Sequence, residues 1–194
     1  SLESQFMHTA GLDEEEDLFA PVFDSAKRRA LWLGINLLTA FLAAWTIGLF
    51  EATLQQVVAL AVLMPIVASM GGIAGSQTLT LIIRGLALEQ ITPQTYMTLL
   101  RKELGVGAIN GVLWAIVIAV ATYFWFGDWI IGGIIGMAII INIIVAALSG
   151  VLIPIWLEKL DIDPALSGSV ILTTVTDVIG FFAFLGLGSL FLLG

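Results

Sequence analysis

Residues 129–157 read WIIGGIIGMAIIINIIVAALSGVLIPIWL, a stretch without a single charged side chain. A helix of about 20 apolar residues is long enough to cross the hydrocarbon core of a bilayer. Four more stretches, at residues 30–50, 57–84, 104–126 and 164–194, are similarly long and apolar. We therefore predict an all-α membrane protein with five transmembrane helices per chain.

The composition of the 194-residue chain excludes several other classes of protein. Hydrophobic residues make up 59% of it and charged residues 11%, against about 25% charged residues in soluble domains. A net charge of −8 offers no cationic surface to nucleic acid. The chain lacks cysteine, and its one histidine is His8, so thiolate, histidine-cluster and triad chemistry have no residues in the apolar part. An intramembrane aspartyl protease would need two aspartates at membrane depth, and we expect no enzyme.

The positive charges predict the orientation in the membrane. With five spans, all seven fall on one side: Lys27, Arg28, Arg29, Arg84, Arg101, Lys102 and Lys159. The positive-inside rule places that side in the cytoplasm, with the C-terminus outside the cell (inner) membrane. Residues 1–27 are then a cytoplasmic acidic segment, whose start at residues 1–6 is compatible with a remnant of cloning, and residues 28–194 form the membrane domain.

Local signals refine the second and third spans. The second contains Pro65 and three glycines, so we predict a kinked or broken helix there. Residues 92–103 are predicted to form a short interfacial helix before the third span. Asp163 and Pro164 are typical of a helix start, with the aspartate as cap and the proline in the first turn.

Asp177 is the acid that the topology places deepest in the membrane. It follows Pro164 by thirteen residues, which is about 20 Å along a helix. A carboxylate at that depth is costly unless it is protonated, meets water or binds a cation. Ser169 and Thr173 precede it at helical spacing and share its face. The alternative is that Asp177 joins two helices by hydrogen bonds.

The glycines of the second span suggest a partner for this carboxylate. Irregular backbone within residues 69–77 would free carbonyl oxygens, and these, like carboxylates, are hard ligands that suit Mg²⁺, Ca²⁺ or Mn²⁺. The alternative is a packing face, because Gly71 and Gly75 are four residues apart. One carboxylate is little charge for a divalent ion, and a two-fold dimer would supply two copies of Asp177.

Several motifs, in the same order, resemble the membrane part of the MgtE family of magnesium channels. The second span carries GGIAGSQ at residues 71–77 and LIIRGLA at residues 81–87. The third begins KELGVG at residues 102–107, and the fifth has DIDPA at residues 161–165 and TTVTDVIG at residues 173–180. The resemblance covers residues 30–193, and it is specific because it combines separate motifs.

The resemblance implies a homodimeric channel with its pore at the protomer interface. In that family the fifth-helix aspartate, here Asp177, binds hydrated Mg²⁺ through its water shell. The carbonyls expected to assist are those of Ser69, Gly72 and Thr173. Ser76 and Ser169 fall at pore-lining positions where the family has asparagine. Mn²⁺, Co²⁺ and Ca²⁺ are expected substitutes for Mg²⁺. We expect neither the CBS pair nor the N-terminal sensor domain of typical members in these 194 residues, which are then either a part of a longer protein or a short member of the family.

We therefore expect a Mg²⁺-selective channel domain embedded in the lipid bilayer. Two other classes stay open at this stage. One is a secondary transporter of divalent cations coupled to protons or Na⁺, in which Asp177 carries the coupling ion. The other is a membrane scaffold subunit that conducts no ions.

Overall fold

The computed structural model of the chain describes residues 18–193, and all regular secondary structure among them is helical. His8 and the acidic run at residues 13–17 lie outside the described residues. The fold agrees with the all-α prediction.

Five long helices account for most of the described chain. They are α1 (Val22–Gly48), α3 (Val58–Ala87), α4 (Tyr96–Phe126), α5 (Trp129–Lys159) and α6 (Pro164–Gly188). A short helix, α2 (Glu51–Gln56), links α1 to α3, and a π-helical turn (Ser189–Leu193) extends α6. All five are long and apolar enough to cross a membrane, which confirms the predicted number of spans.

Helix α5 lies at the centre of the fold. It packs against α3, α4 and α6, and most of its apolar side chains are buried. Helix α1 packs mainly against α6 and leaves large apolar side chains such as Leu38, Phe41 and Trp45 exposed. Such a surface suits contact with lipid, where an apolar side chain gains nothing from burial inside the protein.

Aspartate caps fix the starts of two helices. The Asp163 carboxylate accepts a hydrogen bond of 2.9 Å from the Ala165 backbone nitrogen, which confirms the predicted start of α6. Asp128 caps α5 in the same way, and its carboxylate accepts a hydrogen bond of 2.8 Å from the Ile130 nitrogen. Gly127 between α4 and α5 has a φ of +69°, a left-handed conformation that glycine adopts at little cost.

The sequence predicts a kinked or broken helix in the second span, and the break is wrong. Helix α3 is continuous from Val58 to Ala87, through Pro65 and all of its glycines. A proline inside a helix removes one hydrogen bond, the one to the carbonyl four residues earlier, which here is that of Ala61. Packing against α5 and α6 supports the remaining helix, because Gly71 lies against the Asn142 side chain and Gly75 against that of Leu172.

The predicted interfacial helix is also wrong as a separate element. Residues 92–95 form a turn, in which Thr95 Oγ1 accepts from the Thr92 nitrogen at 3.0 Å. From Tyr96 onward the chain is already the first part of α4. No proline interrupts the sequence between this start and the apolar part of the span, so one helix continues through both.

The ends of the bundle differ in charge. Neighbouring helices alternate in direction along the chain, so all seven lysines and arginines lie at or near the same end. At that end the Lys159 ammonium group lies 5.1 Å from the centre of the Tyr96 ring. At the opposite end Tyr123 stacks on Trp129 with ring centres 3.8 Å apart. Aromatic rings at this level are typical of a membrane–water boundary.

Candidate functional site

Asp177 lies on α6 far from either end of the bundle. Thirteen residues separate it from Pro164, or about 20 Å at the helical rise. The residue is half-buried, and its carboxylate has no hydrogen bond or ion pair with any residue in the described range 18–193. The hydrogen bonds to a partner helix that the alternative interpretation requires are therefore not formed within this part of the chain.

Two close contacts fix how α3 and α6 lie side by side. A Cβ atom built on Gly75 would lie 2.9 Å from Leu172 Cδ2, and one built on Gly180 would lie 3.1 Å from Val67 Cγ1. On each helix the two contacting residues are eight positions apart, and their order along α3 is the reverse of their order along α6. The helices are antiparallel, and Asp177 lies at the height of Met70.

This alignment of α3 and α6 places part of the predicted site at one level along the bundle axis. Ser69 and Gly72 lie within about 3 Å of Asp177 along the helix axes. Thr173 lies about 6 Å nearer the end of the bundle that carries the lysines and arginines, which we call the cationic end. Ser76 and Ser169 lie further in that direction, about 9 Å and 12 Å from Asp177. The six residues thus form a polar strip that leads from the cationic end toward Asp177.

The strip lies on a flank of the α3–α6 pair that the other described residues leave at least partly open. Ser69 and Thr173 are exposed, and Gly72, Ser76, Ser169 and Asp177 are half-buried. No atom lies within 4 Å of a Cβ built on Gly72. A large ligand or another protein surface can therefore reach this flank directly.

The glycines of α3 divide into two groups. Gly71 and Gly75 are buried, and a Cβ on either would collide with Asn142 or Leu172. These two form the packing face that was the alternative interpretation of the motif. Gly72 instead belongs to the open flank, so the motif combines close packing on one side with an accessible backbone on the other.

The backbone oxygens of the strip are engaged in their own helices. Because α3 is unbroken, the Ser69 and Gly72 carbonyls keep their helical positions, which corrects the expectation that irregular backbone frees them. The Thr173 hydroxyl donates to the Ser169 carbonyl at 2.9 Å, and the Thr173 carbonyl accepts from the Thr176 hydroxyl at 3.2 Å. A carbonyl oxygen has two lone pairs, so those of Ser69 and Gly72 can each still accept a hydrogen bond from the water shell of an ion. The Thr173 carbonyl already accepts two, from the helix backbone and from Thr176.

One chain supplies one carboxylate to this strip. Across residues 18–193 there is no group of three or more histidine, cysteine, aspartate or glutamate residues that could hold a metal ion. A bare divalent ion prefers six or more oxygen ligands, whereas Mg²⁺ usually keeps several of its waters. The donors of the strip fit a hydrated ion better than a fully dehydrated one.

Sequence reasoning missed Asn142 on α5. The side chain is fully buried, and its Nδ2 donates a hydrogen bond of 3.1 Å to the Val67 carbonyl of α3. It contacts both Gly71 and Gly180. The available signal was an amide within the uninterrupted apolar sequence of the fourth span, which a search for ionisable residues passes over.

A separate cavity of about 410 Å³ lies between α3, α4 and α5. Its lining includes Gln77, Lys102 and Glu103 but none of the six residues of the strip. Glu103 is only 7% exposed, although the sequence placed it in an interfacial helix. The cavity and the strip are therefore distinct features of the molecule.

Comparisons with known proteins point to one family. The model of the MgtE family, described as a divalent cation transporter, matches residues 64–187, which include α4, α5, all six residues of the strip and Asn142. The magnesium transporter MgtE of Bacillus subtilis is 32% identical over 190 residues, which is 93% of this chain and 42% of that protein. The magnesium transporter MgtE of Thermus thermophilus is 32% identical over 164 residues, 84% of this chain and 36% of the relative.

A third relative agrees with these two. The magnesium transporter MgtE of Enterococcus faecalis is 29% identical over 189 residues, or 97% of this chain and 42% of that protein. The chain thus spans about two fifths of the length of the curated relatives that it matches.

Proposed function

This chain belongs to the MgtE family of divalent cation transporters, and from that premise we propose that it conducts Mg²⁺ through a pore lined by Asp177. The observation that carries the proposal is the position of this carboxylate. It lies about 20 Å along α6, half-buried and without a partner in residues 18–193. A carboxylate at such depth costs free energy unless water or a cation offsets its charge.

The chemistry of the strip favours a hydrated ion. Mg²⁺ gives up its waters reluctantly and binds proteins through few direct ligands. In the proposed mechanism Asp177 accepts hydrogen bonds from the ion's waters, and the carbonyls of Ser69 and Gly72 accept others. The Thr173 carbonyl joins them when the Thr176 hydroxyl keeps only its bond to the Leu172 carbonyl. Ser76 and Ser169 line the approach from the cationic end. Mn²⁺, Co²⁺ and Ca²⁺ are proposed as substitutes that the same oxygen donors accept less well.

The pore is proposed to form between two copies of the chain. The uncovered flank that carries Ser69, Thr173 and Asp177 is polar, and polar groups at membrane depth are costly against lipid. A second copy related by a two-fold axis would cover this flank and bring a second Asp177 to the ion. Two carboxylates would then balance the charge of one divalent cation.

The remaining assignments follow from the distribution of charge. Residues 28–194 are proposed to be the transmembrane channel domain and residues 1–27 a cytoplasmic acidic segment. All seven cations lie at or near one end of the bundle, and the positive-inside rule assigns that end to the cytoplasm. In a cell membrane this orientation places the strip's approach on the cytoplasmic side and the C-terminus outside.

Uptake of Mg²⁺ into liposomes that contain the purified chain tests the proposal. Replacing Asp177 by Asn keeps the size of the side chain and removes its charge. Hydrogen bonds to charged groups contribute about 1.5–3 kcal/mol, so we expect uptake to fall about tenfold or more in Asp177→Asn. Asp24→Asn is the matched control, because Asp24 is exposed in the first turn of α1. Equal uptake by wild type and Asp177→Asn would refute the proposed role.

The same liposomes separate a channel from a coupled transporter. A channel needs only the membrane potential and the Mg²⁺ gradient, so we expect uptake to continue when proton and Na⁺ gradients are abolished by ionophores. Uptake that stops under these conditions would favour coupling, with Asp177 as the carrier of the proton or Na⁺.

A further inference from the structure

Asn142 occupies an unusual environment for an amide. It lies in the middle of α5 between isoleucines, and its exposure is 0%. Burying an amide among apolar groups costs free energy unless its donors and acceptor find partners. The contacts of Asn142 therefore bear on why an amide stands at this position.

The amide is wedged between two glycines on different helices. A Cβ atom built on Gly180 of α6 would lie 2.6 Å from Asn142 Nδ2, and one built on Gly71 of α3 would overlap the same amide. Only glycine leaves room for the side chain at these two positions. Asn142 thus contacts the backbones of α3 and α6 at the same time.

One hydrogen bond determines the orientation of the amide. Asn142 Nδ2 donates to the Val67 carbonyl oxygen at 3.1 Å. If the amide were flipped, Asn142 Oδ1 would face the Val67 carbonyl oxygen, and two acceptors cannot form a hydrogen bond. The nitrogen must therefore face Val67. Asn142 Oδ1 has no hydrogen-bond partner within the described chain. An apolar side chain of similar size would fill the space without an unpaired acceptor, so packing alone does not account for an amide here.

The amide lies beside the proposed ion site. On α6, Gly180 follows Asp177 by about one helical turn. On α3, Gly71 lies between Ser69 and Gly72, whose carbonyls belong to the polar strip. The two backbones that Asn142 contacts are therefore the same two that present the oxygen donors to the ion.

We propose that Asn142 is a positioning residue that sets the separation of α3 and α6 at the height of Asp177, and thereby the preference for Mg²⁺ over larger divalent cations. This inference rests on the proposed function. A hydrated ion held through its water shell requires donors at fixed distances, so a small change in helix separation alters which ion fits. Asn142 itself does not touch the ion.

The test compares uptake of Mg²⁺ and Ca²⁺ by liposomes that contain wild type or Asn142→Leu. Changes in groups that orient metal ligands typically cost 10–100-fold in metal affinity or activity, and we expect the ratio of Mg²⁺ to Ca²⁺ uptake to fall about tenfold. A purely structural role would lower the uptake of both ions in proportion, because fewer chains would be folded, and would leave the ratio unchanged. That result would overturn the inference.

Thr122→Val is the matched control. The Thr122 hydroxyl is also buried without a hydrogen-bond partner among the described residues, but it lies near the Phe126 end of α4. We expect this variant to keep the wild-type ratio. A changed ratio of Mg²⁺ to Ca²⁺ uptake in Thr122→Val would mean that any disturbance of the bundle alters selectivity. That result would contradict a specific role of Asn142.

A second pair of variants decides the matter if Asn142→Leu does not fold. Gly180→Ala pushes a Cβ against the Asn142 amide, and Gly132→Ala creates a similar conflict, 2.7 Å from the Ala119 carbonyl oxygen, at the α4–α5 contact. We expect only Gly180→Ala to lower the ratio. If wild type takes up no more Mg²⁺ than Asp177→Asn does, the proposed function fails too. An unchanged ratio in Gly180→Ala beside normal wild-type uptake overturns the role of Asn142 alone.

Discussion

Gly150 of α5 packs so closely against Thr78 of α3 that a Cβ atom built on the glycine would lie 2.7 Å from the Thr78 Cβ. Both atoms belong to rigid parts of their residues, so neither can move without a shift of a helix. We expect Gly150→Ala to destabilise the protein by about 1–3 kcal/mol, as overpacking of a close contact does. Unfolding of the purified protein in mixed detergent micelles measures the change.

Gly133 on the same helix is the control for this substitution. Nothing lies within 4 Å of a Cβ built on it. Since alanine is the better helix former, Gly133→Ala should be neutral or stabilise by roughly 0.5–1 kcal/mol. Similar losses of stability in both variants would show that the α3–α5 contact is not the cause.

The cap at the start of α5 gives a second prediction for stability. The Asp128 carboxylate accepts from the Ile130 nitrogen at 2.8 Å, and loss of such a cap costs about 1 kcal/mol. We expect Asp128→Ala to lower the free energy of unfolding by about that amount, and Asp128→Ser, which can still cap, to lower it less. Equal losses in the two variants would argue against capping as the origin of the effect.

Chemical cross-linking tests the proposed dimer. The chain contains no cysteine, so a single introduced thiol reports on one position. Thr173 is exposed on the polar strip, and a two-fold axis along the pore would place two copies near each other. We expect Thr173→Cys to give cross-linked dimers in membranes with a short bifunctional thiol reagent.

Ile109→Cys is the control for cross-linking. Ile109 is 73% exposed on α4, on a helix that carries none of the strip. It should remain monomeric on the same treatment. Dimers from Ile109→Cys, together with monomers from Thr173→Cys, would place the protomer interface on a different face.

The elements that sequence predicts well here are those that depend on the membrane. Length and apolarity identify all five spans, because a bilayer demands about 20 apolar residues for each crossing. The Asp163 cap is equally local, since the aspartate, the proline and the backbone nitrogen it binds are adjacent in the chain. Asp177 is singled out by the same rule, as a charge at a depth where charge is costly.

The errors concern features that packing decides. Pro65 and the glycines suggested a kinked or broken helix, but α3 is unbroken and packs against α5 and α6. Two of these glycines, Gly71 and Gly75, make room for the Asn142 amide and for Leu172, which are distant in sequence. No local pattern indicates that Asn142 would meet Gly71 and Gly180, so its place beside the strip could only come from the structure.

Recording of Mg²⁺ current across a planar bilayer tests the central claim, conduction past Asp177, most directly. A potential of 100 mV drives one elementary charge with about 2.3 kcal/mol and a divalent ion with twice that, so an open pore carries current without any coupled gradient. We expect the wild-type chain, with Mg²⁺ as the permeant cation, to give currents that reverse near the Mg²⁺ equilibrium potential and that fall about tenfold or more in Asp177→Asn. Currents of equal size in Asp177→Asn would contradict the account.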